Sequence, residues 1–333
     1  MDKALELNEF ILAAALAFVV LALVCNLVVI TGRNSRTRHP VRVREKVSIS
    51  GALISDSGSD AAASGRQSGA NIAGSESGTS ERKSPPRRSA RRPLREKPRG
   101  LALYATGFTV ISFVLFLIYL GIRMALTGYG PFANQHEFAV SFVLGIMGAY
   151  VIVEYLYQIR ALSLVVLPIA AALTLYAMAQ DTAVRPLIPA LQNNLLLTLH
   201  VGFAIVAYGA ACVSCGAAII YLAYPNLKFK RLPAREVFDD IGYKAATVTF
   251  PLLTLMIILG SVWANTAWGR YWGWDPKETA ALVTWLIYGA YLHARVTRGW
   301  QGKRSAWLLL LGFAAVLFAY FGNHFFGGLH SYA

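Results

Sequence analysis

The chain has 333 residues, of which 56% are hydrophobic and 14% charged, and its mean hydropathy is +0.49. That balance excludes a water-soluble globular domain, in which about a quarter of residues are charged, and marks an integral membrane protein. A net charge of +14 would suit a nucleic-acid binder, but most of it lies in one segment, residues 32–100, so no nucleic-acid partner is expected.

Crossing a hydrocarbon core of about 30 Å takes roughly 20 apolar residues in a helix. Runs of that kind occupy 8–31, 103–126, 137–158, 161–179, 195–223, 246–264, 279–297 and 306–323. They predict an all-α polytopic protein of about eight transmembrane helices. The first run follows a weakly charged start and has no small-residue cleavage site, so it reads as a retained anchor. Residues 32–100 carry sixteen Lys/Arg against six Asp/Glu. The middle of this segment is rich in Ser, Gly and Ala and poor in aromatics, and it buries too little apolar surface to offset chain entropy, so disorder is expected. Its basic flanks suit anionic lipid head groups. The third and fourth helices are separated only by the turn at Gln158–Ala161. The expected domains are an N-terminal helix at 1–31, the basic loop at 32–100, three helices within 101–185 and a four-helix core at 186–333.

Basic loops are retained in the cytoplasm. Arg33–Arg99, Lys228–Lys244 and Arg295–Arg304 fall on one side of an eight-span chain. Both termini, the loop at 180–194 and the loop before the seventh helix are then on the outer face of a plasma (inner) membrane.

The loop before the seventh helix is the most distinctive part of the chain. Trp263, Trp268, Trp272, Trp274 and Trp285 are five of the seven tryptophans, and Tyr271 lies among them. An interfacial aromatic belt spreads its tryptophans over many helix ends, whereas this concentration makes a platform for a flat apolar ligand. Asp275, Pro276 and Glu278 fit an N-cap, a first-turn proline and a capping-box glutamate, a role that requires no ligand contact. The same helix start brings its positive end and Lys277 beside the aromatics, which suits the carboxylates of a ligand.

His200 and His330 lie at the outer ends of the fifth and eighth helices and reach the same face. Two neutral imidazoles flanking an aromatic floor can supply both axial ligands of a haem iron. His293 lies 18 residues after Asp275, about 27 Å down the seventh helix, too far to share that iron. His39 and His136 read as solvated surface residues, and His324 as a helix-end residue that is also near enough to substitute as a ligand. Cys212 and Cys215 form a C-x-x-C within the fifth helix. The next residue is Gly216, so this is not a haem-attachment motif, and the small residues around the pair indicate a helix-packing face.

The segment WGRYWGWDPKET at 268–279 resembles the signature of the WWD-domain superfamily of membrane haem-handling proteins. From Pro186 to Tyr332, the stretch VWANTAWGRYWGWDPKETAALVTWLIYGAYLHAR, with PLIPALQ before His200 and GLHSY around His330, is similar to the CcsA/ResC branch of System II cytochrome c biogenesis. The resemblance implies that His200 and His330 ligate haem b on the outer side, and that His293 helps receive it from the inner side. It implies that haem, as substrate, is held reduced while the two cysteines of an apocytochrome c C-x-x-C-H add to its vinyl groups. This is positioning catalysis, with no nucleophile supplied by the chain. Expected partners are a CcsB/ResB-type membrane protein, apocytochrome c, lipid and a thiol-reducing thioredoxin-like protein. The chain departs from the family pattern at Ala280, where relatives often carry another tryptophan. Two other readings stay open, a CcmC-type haem chaperone or exporter and a haem b electron-transfer subunit.

Overall fold

A computed structural model describes residues 2–32, 100–184, 186–187, 189–192, 194–227, 229, 232–322, 326 and 328–330. Most of the basic segment, together with His39 and His324, lies outside the described residues. Eight long helices form among the described residues, with no strand. They are α1 (Asp2–Thr31), α2 (Leu101–Thr127), α3 (Gln135–Tyr157), α4 (Ser163–Met178), α5 (Asn194–Ala223), α6 (Arg235–Trp268), α7 (Pro276–Arg298) and α8 (Lys303–Phe321). In lipid a helix satisfies every backbone hydrogen bond within its own segment, which is why apolar runs of this length become helices.

Seven of the eight are long and apolar enough to cross a membrane, making this a multi-pass membrane protein. The exception is α7. Its 23 residues suffice in length, but it begins Pro-Lys-Glu-Thr and ends His-Ala-Arg-Val-Thr-Arg, and these polar ends lower its mean hydropathy. It packs against α6 and α8. α6 is longer than its apolar run predicts, with 34 residues spanning about 51 Å at 1.5 Å per residue. Its first turns, anticipated as part of a basic loop, are helical because Phe238, Ile241, Gly242 and Ala245 bury one stripe against the bundle. On the same helix Asp239 pairs with Arg295 of α7 at 2.6 Å.

α5 is the central helix, with 78% of its most apolar 18-residue stretch buried and with α3, α4, α6 and α8 as neighbours. Its small residues permit this. A Cβ on Gly145 of α3 would overlap the Ile205 carbonyl of α5, and a Cβ on Gly209 of α5 would overlap the Gly145 carbonyl, so the two backbones meet directly. Cys212 and Cys215 are buried in α5. α1 packs against α2 and α4.

His136 corrects the surface expectation, since it is fully buried. Asn134 caps α3 by accepting from the Glu137 amide at 2.8 Å, which brings His136 and Glu137 into the first turn facing inward. His136 Nδ1 donates to the Ala177 carbonyl at 2.8 Å and its Nε2 meets the Tyr119 hydroxyl. Glu137 accepts from Arg123 Nε at 2.8 Å, with both side chains fully buried. A second polar cluster closes the α3–α4 turn, where Arg160 donates to Glu154 and to the Thr106 hydroxyl, each at 2.9 Å.

Candidate functional site

α6 ends at Gly269, whose left-handed φ of 72° and bond to the Asn265 carbonyl stop the helix. The chain then turns through six residues into α7. Trp274 sits at φ 56°, a conformation costly for a bulky side chain. Glu278 holds it there by accepting from the amides on either side, Gly273 at 2.8 Å and Asp275 at 3.1 Å. This is the return half of the capping box anticipated from the sequence. The other half is the Asp275 side chain, which faces the Glu278 amide and also accepts from the Lys277 amide at 3.1 Å.

Asp275 does more than cap. The segment following α8 folds back over it, so that Leu329 donates its amide to Oδ1 at 2.6 Å and His330 donates Nδ1–H to Oδ2 at 2.7 Å. Burial works against charge on Asp275, but the hydrogen bonds from His330, Leu329 and Lys277 outweigh it and hold the carboxyl below its ordinary range. Burial also holds the His330 imidazole below its ordinary value, against the opposing pull of Asp275. At neutral pH the pair is therefore a carboxylate and a neutral imidazole. Because the carboxylate can only accept, the proton is on Nδ1 and the lone pair is on Nε2.

His200 is fixed in the same way by a different acceptor. Its Nδ1 lies 2.8 Å from the Met256 carbonyl of α6, which also can only accept. Both imidazoles lean on one buried indole: the Trp263 ring stacks on His200 at 6.3 Å and 8° and meets His330 at 5.8 Å. Trp268 packs edge-on against both Trp263 and His330, at 4.7 and 4.9 Å.

The two histidines and Trp263 border one cavity of ≈ 1180 Å³, counted with its open mouth. His200, His330, Trp263, Tyr271, Trp272 and Lys277 line it, together with Phe132 and Phe138 of the α3 side. The Lys277 ammonium lies 5.1 Å from the centre of the Phe138 ring. The lining thus combines apolar and aromatic surface, two imidazoles, the Lys277 ammonium and the Glu278 carboxylate, which is engaged by the Gly273 and Asp275 amides. It suits a flat apolar molecule that carries a metal with open axial positions and an anionic edge.

The chain matches the family model described as cytochrome C assembly protein over residues 132–330. It is 37% identical to the cytochrome c biogenesis protein CcsA of Guillardia theta over 254 residues, covering 68% of this chain and 84% of that protein. The CcsA proteins of Microcystis aeruginosa and Synechocystis are each 34% identical, over 69% and 68% of this chain and 87% of their own lengths. The chain belongs to the CcsA family of cytochrome c biogenesis proteins. The family match runs from Phe132 to His330, both of which line the cavity, so α3 and α4 fall within the CcsA region as well as the stretch from Pro186.

The residues named from sequence separate into four groups. His200, His330, Tyr271, Trp272 and Lys277 come together around the cavity. Trp268 and Asp275 lie behind it, touching His330, and Trp274 turns outward, 69% exposed and edge-on to Trp272 at 5.8 Å. His293 is apart, exposed in the last turns of α7 at the basic end of the bundle. Sequence reasoning missed Phe132, Phe138, Gly260 and Gly328 as site residues and the Met256 carbonyl as an acceptor. Only Gly328, in the GLHSY motif, carried a signal that could have drawn attention to it.

Proposed function

We propose that this protein takes haem b as substrate in cytochrome c maturation, binding it in the cavity with His200 and His330 as the two axial ligands. The observation that carries the reading is the matched pair of imidazoles, each with Nδ1 donating to an acceptor-only oxygen, which is the tautomer that puts the lone pair on Nε2. This is the usual arrangement of a metal-binding histidine with its supporting acceptor. Trp263 and Trp272 support the ring face, and Lys277 attracts a propionate. Trp274, outward and held in a strained turn, contributes to the rim.

On this reading the site lies on the outer side of the plasma membrane, as the cytoplasmic assignment of the basic segments requires. His293, at the opposite end of α7, receives haem from the inner side. The protein's part in the attachment reaction is to position: it holds the haem while each of two apocytochrome thiols adds its S–H across one vinyl double bond. A CcsB/ResB-type membrane protein completes the synthase, and a thioredoxin-like protein keeps the acceptor cysteines reduced.

The test is the visible spectrum of the protein purified with such a partner, together with haem attachment to a C-x-x-C-H peptide. His200→Gly and His330→Gly should each weaken the haem band and abolish attachment, and added imidazole should restore part of both. Unchanged spectra and attachment in both variants would refute the ligand assignment. Reversible haem release without attachment would identify a carrier.

A further inference from the structure

The two histidines share a feature that their sequence neighbourhoods do not explain: a glycine lies against the ring at one and against the carboxylate that accepts from the ring at the other. Within α6 the Met256 carbonyl is the acceptor for the amide four residues on, at Gly260. A carbonyl oxygen has a second lone pair, but a helical side chain covers the turn that precedes it, so residue 260 governs access to that lone pair. At Gly260 nothing covers it, and the His200 imidazole enters. A Cβ there would lie 2.6 Å from His200 Cε1 and 2.8 Å from Nδ1. Both are atoms of a rigid ring, so relief requires moving the whole imidazole and breaking its bond to Met256.

Gly328 does the equivalent at the other histidine. A Cβ on it would overlap Asp275 Oδ1 and lie 3.0 Å from Pro276 Cδ. The overlapped oxygen is the one that accepts from the Leu329 amide, next to the His330 contact on the same carboxylate. Any side chain at 328 would lift the terminal segment off Asp275. The two glycines come from unrelated parts of the chain, the middle of a long helix and a terminal loop, and they serve acceptors of different chemistry. Gly202 in α5, where an added Cβ meets nothing within 4 Å, provides a contrast.

We propose that Gly260 and Gly328 are the positioning residues of this site, each omitting a side chain where a histidine must reach its acceptor, so that both imidazoles are held as Nδ1–H tautomers with Nε2 as the coordinating nitrogen. The use of Nε2 by iron rests on the haem reading, whereas the tautomer lock does not. The two are therefore tested separately.

The first experiment needs no haem. In full-length protein labelled with ¹⁵N-histidine, two-bond ¹⁵N–¹H correlations distinguish Nδ1–H from Nε2–H tautomers, with assignment by loss of signal in His200→Gly and His330→Gly. Wild type and Gly202→Ala should show both residues as Nδ1–H. Gly260→Ala should lose that signature at His200 only, and Gly328→Ala at His330 only. Unchanged signatures in both alanine variants would overturn the proposal. If Gly260→Ala proves too unstable to purify, combining it with His200→Gly should restore the yield, because the methyl then occupies space the ring has left. A double variant as poor as the single one would overturn the proposal at that glycine. The second experiment adds haem: each alanine variant should convert a six-coordinate low-spin spectrum to a high-spin one, and imidazole should reverse it. Wild-type protein with both Nδ1–H signatures and no haem band would retain the positioning role and remove the haem reading.

Discussion

Replacing Asp275 with asparagine separates the capping role of this residue from its hold on His330. The carboxylate accepts three N–H groups, from Lys277, Leu329 and His330, at 3.1, 2.6 and 2.7 Å. Asparagine offers one oxygen and an NH₂ that can only donate, so in either orientation of the amide at least one of these donors faces another donor. With its oxygen toward Lys277 and His330 the cap survives, since asparagine caps as well as aspartate, but the Leu329 amide loses its acceptor. Leu329 is only half-buried, so its amide can turn to water and the loss falls at or below the low end of the about 1–3 kcal/mol for a buried donor, while His330 exchanges a charged acceptor for a neutral one. Loss of a supporting partner of this kind weakens metal-ligand affinity by about 10- to 100-fold. Titration of the purified variant with haem, followed by absorbance, should show that weakening. Thermal unfolding should remain close to wild type, because the damage is confined to the terminal segment. Asp275→Ala should additionally lose the cap, about 1 kcal/mol of helix stability. Haem affinity within twofold of wild type for Asp275→Asn, with a low-spin spectrum, would refute the view that this carboxylate supports the ligand.

Two further outcomes concern residues that do not line the cavity. Arg123→Met strands Glu137, whose partner lies at 2.8 Å with both side chains fully buried. It should cost about 3–5 kcal/mol in unfolding by denaturing detergent, and adding Glu137→Leu should recover most of the loss. Equal stability of the single and double variants would show that the pair is not coupled. Cys212→Ala and Cys215→Ala remove buried sulfur from α5 and should cost roughly 1 kcal/mol each while leaving haem binding and cytochrome c maturation unchanged. Loss of maturation in a folded cysteine variant would instead assign the pair a redox role.

The amino-acid sequence by itself determined the helices, because in lipid an apolar run of sufficient length has no alternative to satisfying its own backbone. The start of α7 was equally local, since Asp275, Pro276 and Glu278 are within four residues of one another. The tryptophan cluster and the two histidines of one face followed from counting helices and noting which loops carry charge. The tertiary structure alone decided what each side chain touches. Burial of His136 required the Ala177 carbonyl, 41 residues away, and Tyr119. His200 required a carbonyl 56 residues on, and His330 a carboxylate 55 residues back. Phe132 and Phe138 reached the cavity only because α3 crosses α5 at Gly145 and Gly209. Such contacts depend on the rotation and depth at which packed helices settle, which hydropathy and periodicity leave open. Gly260, which leaves room for a ring on another helix, has no local pattern to reveal it.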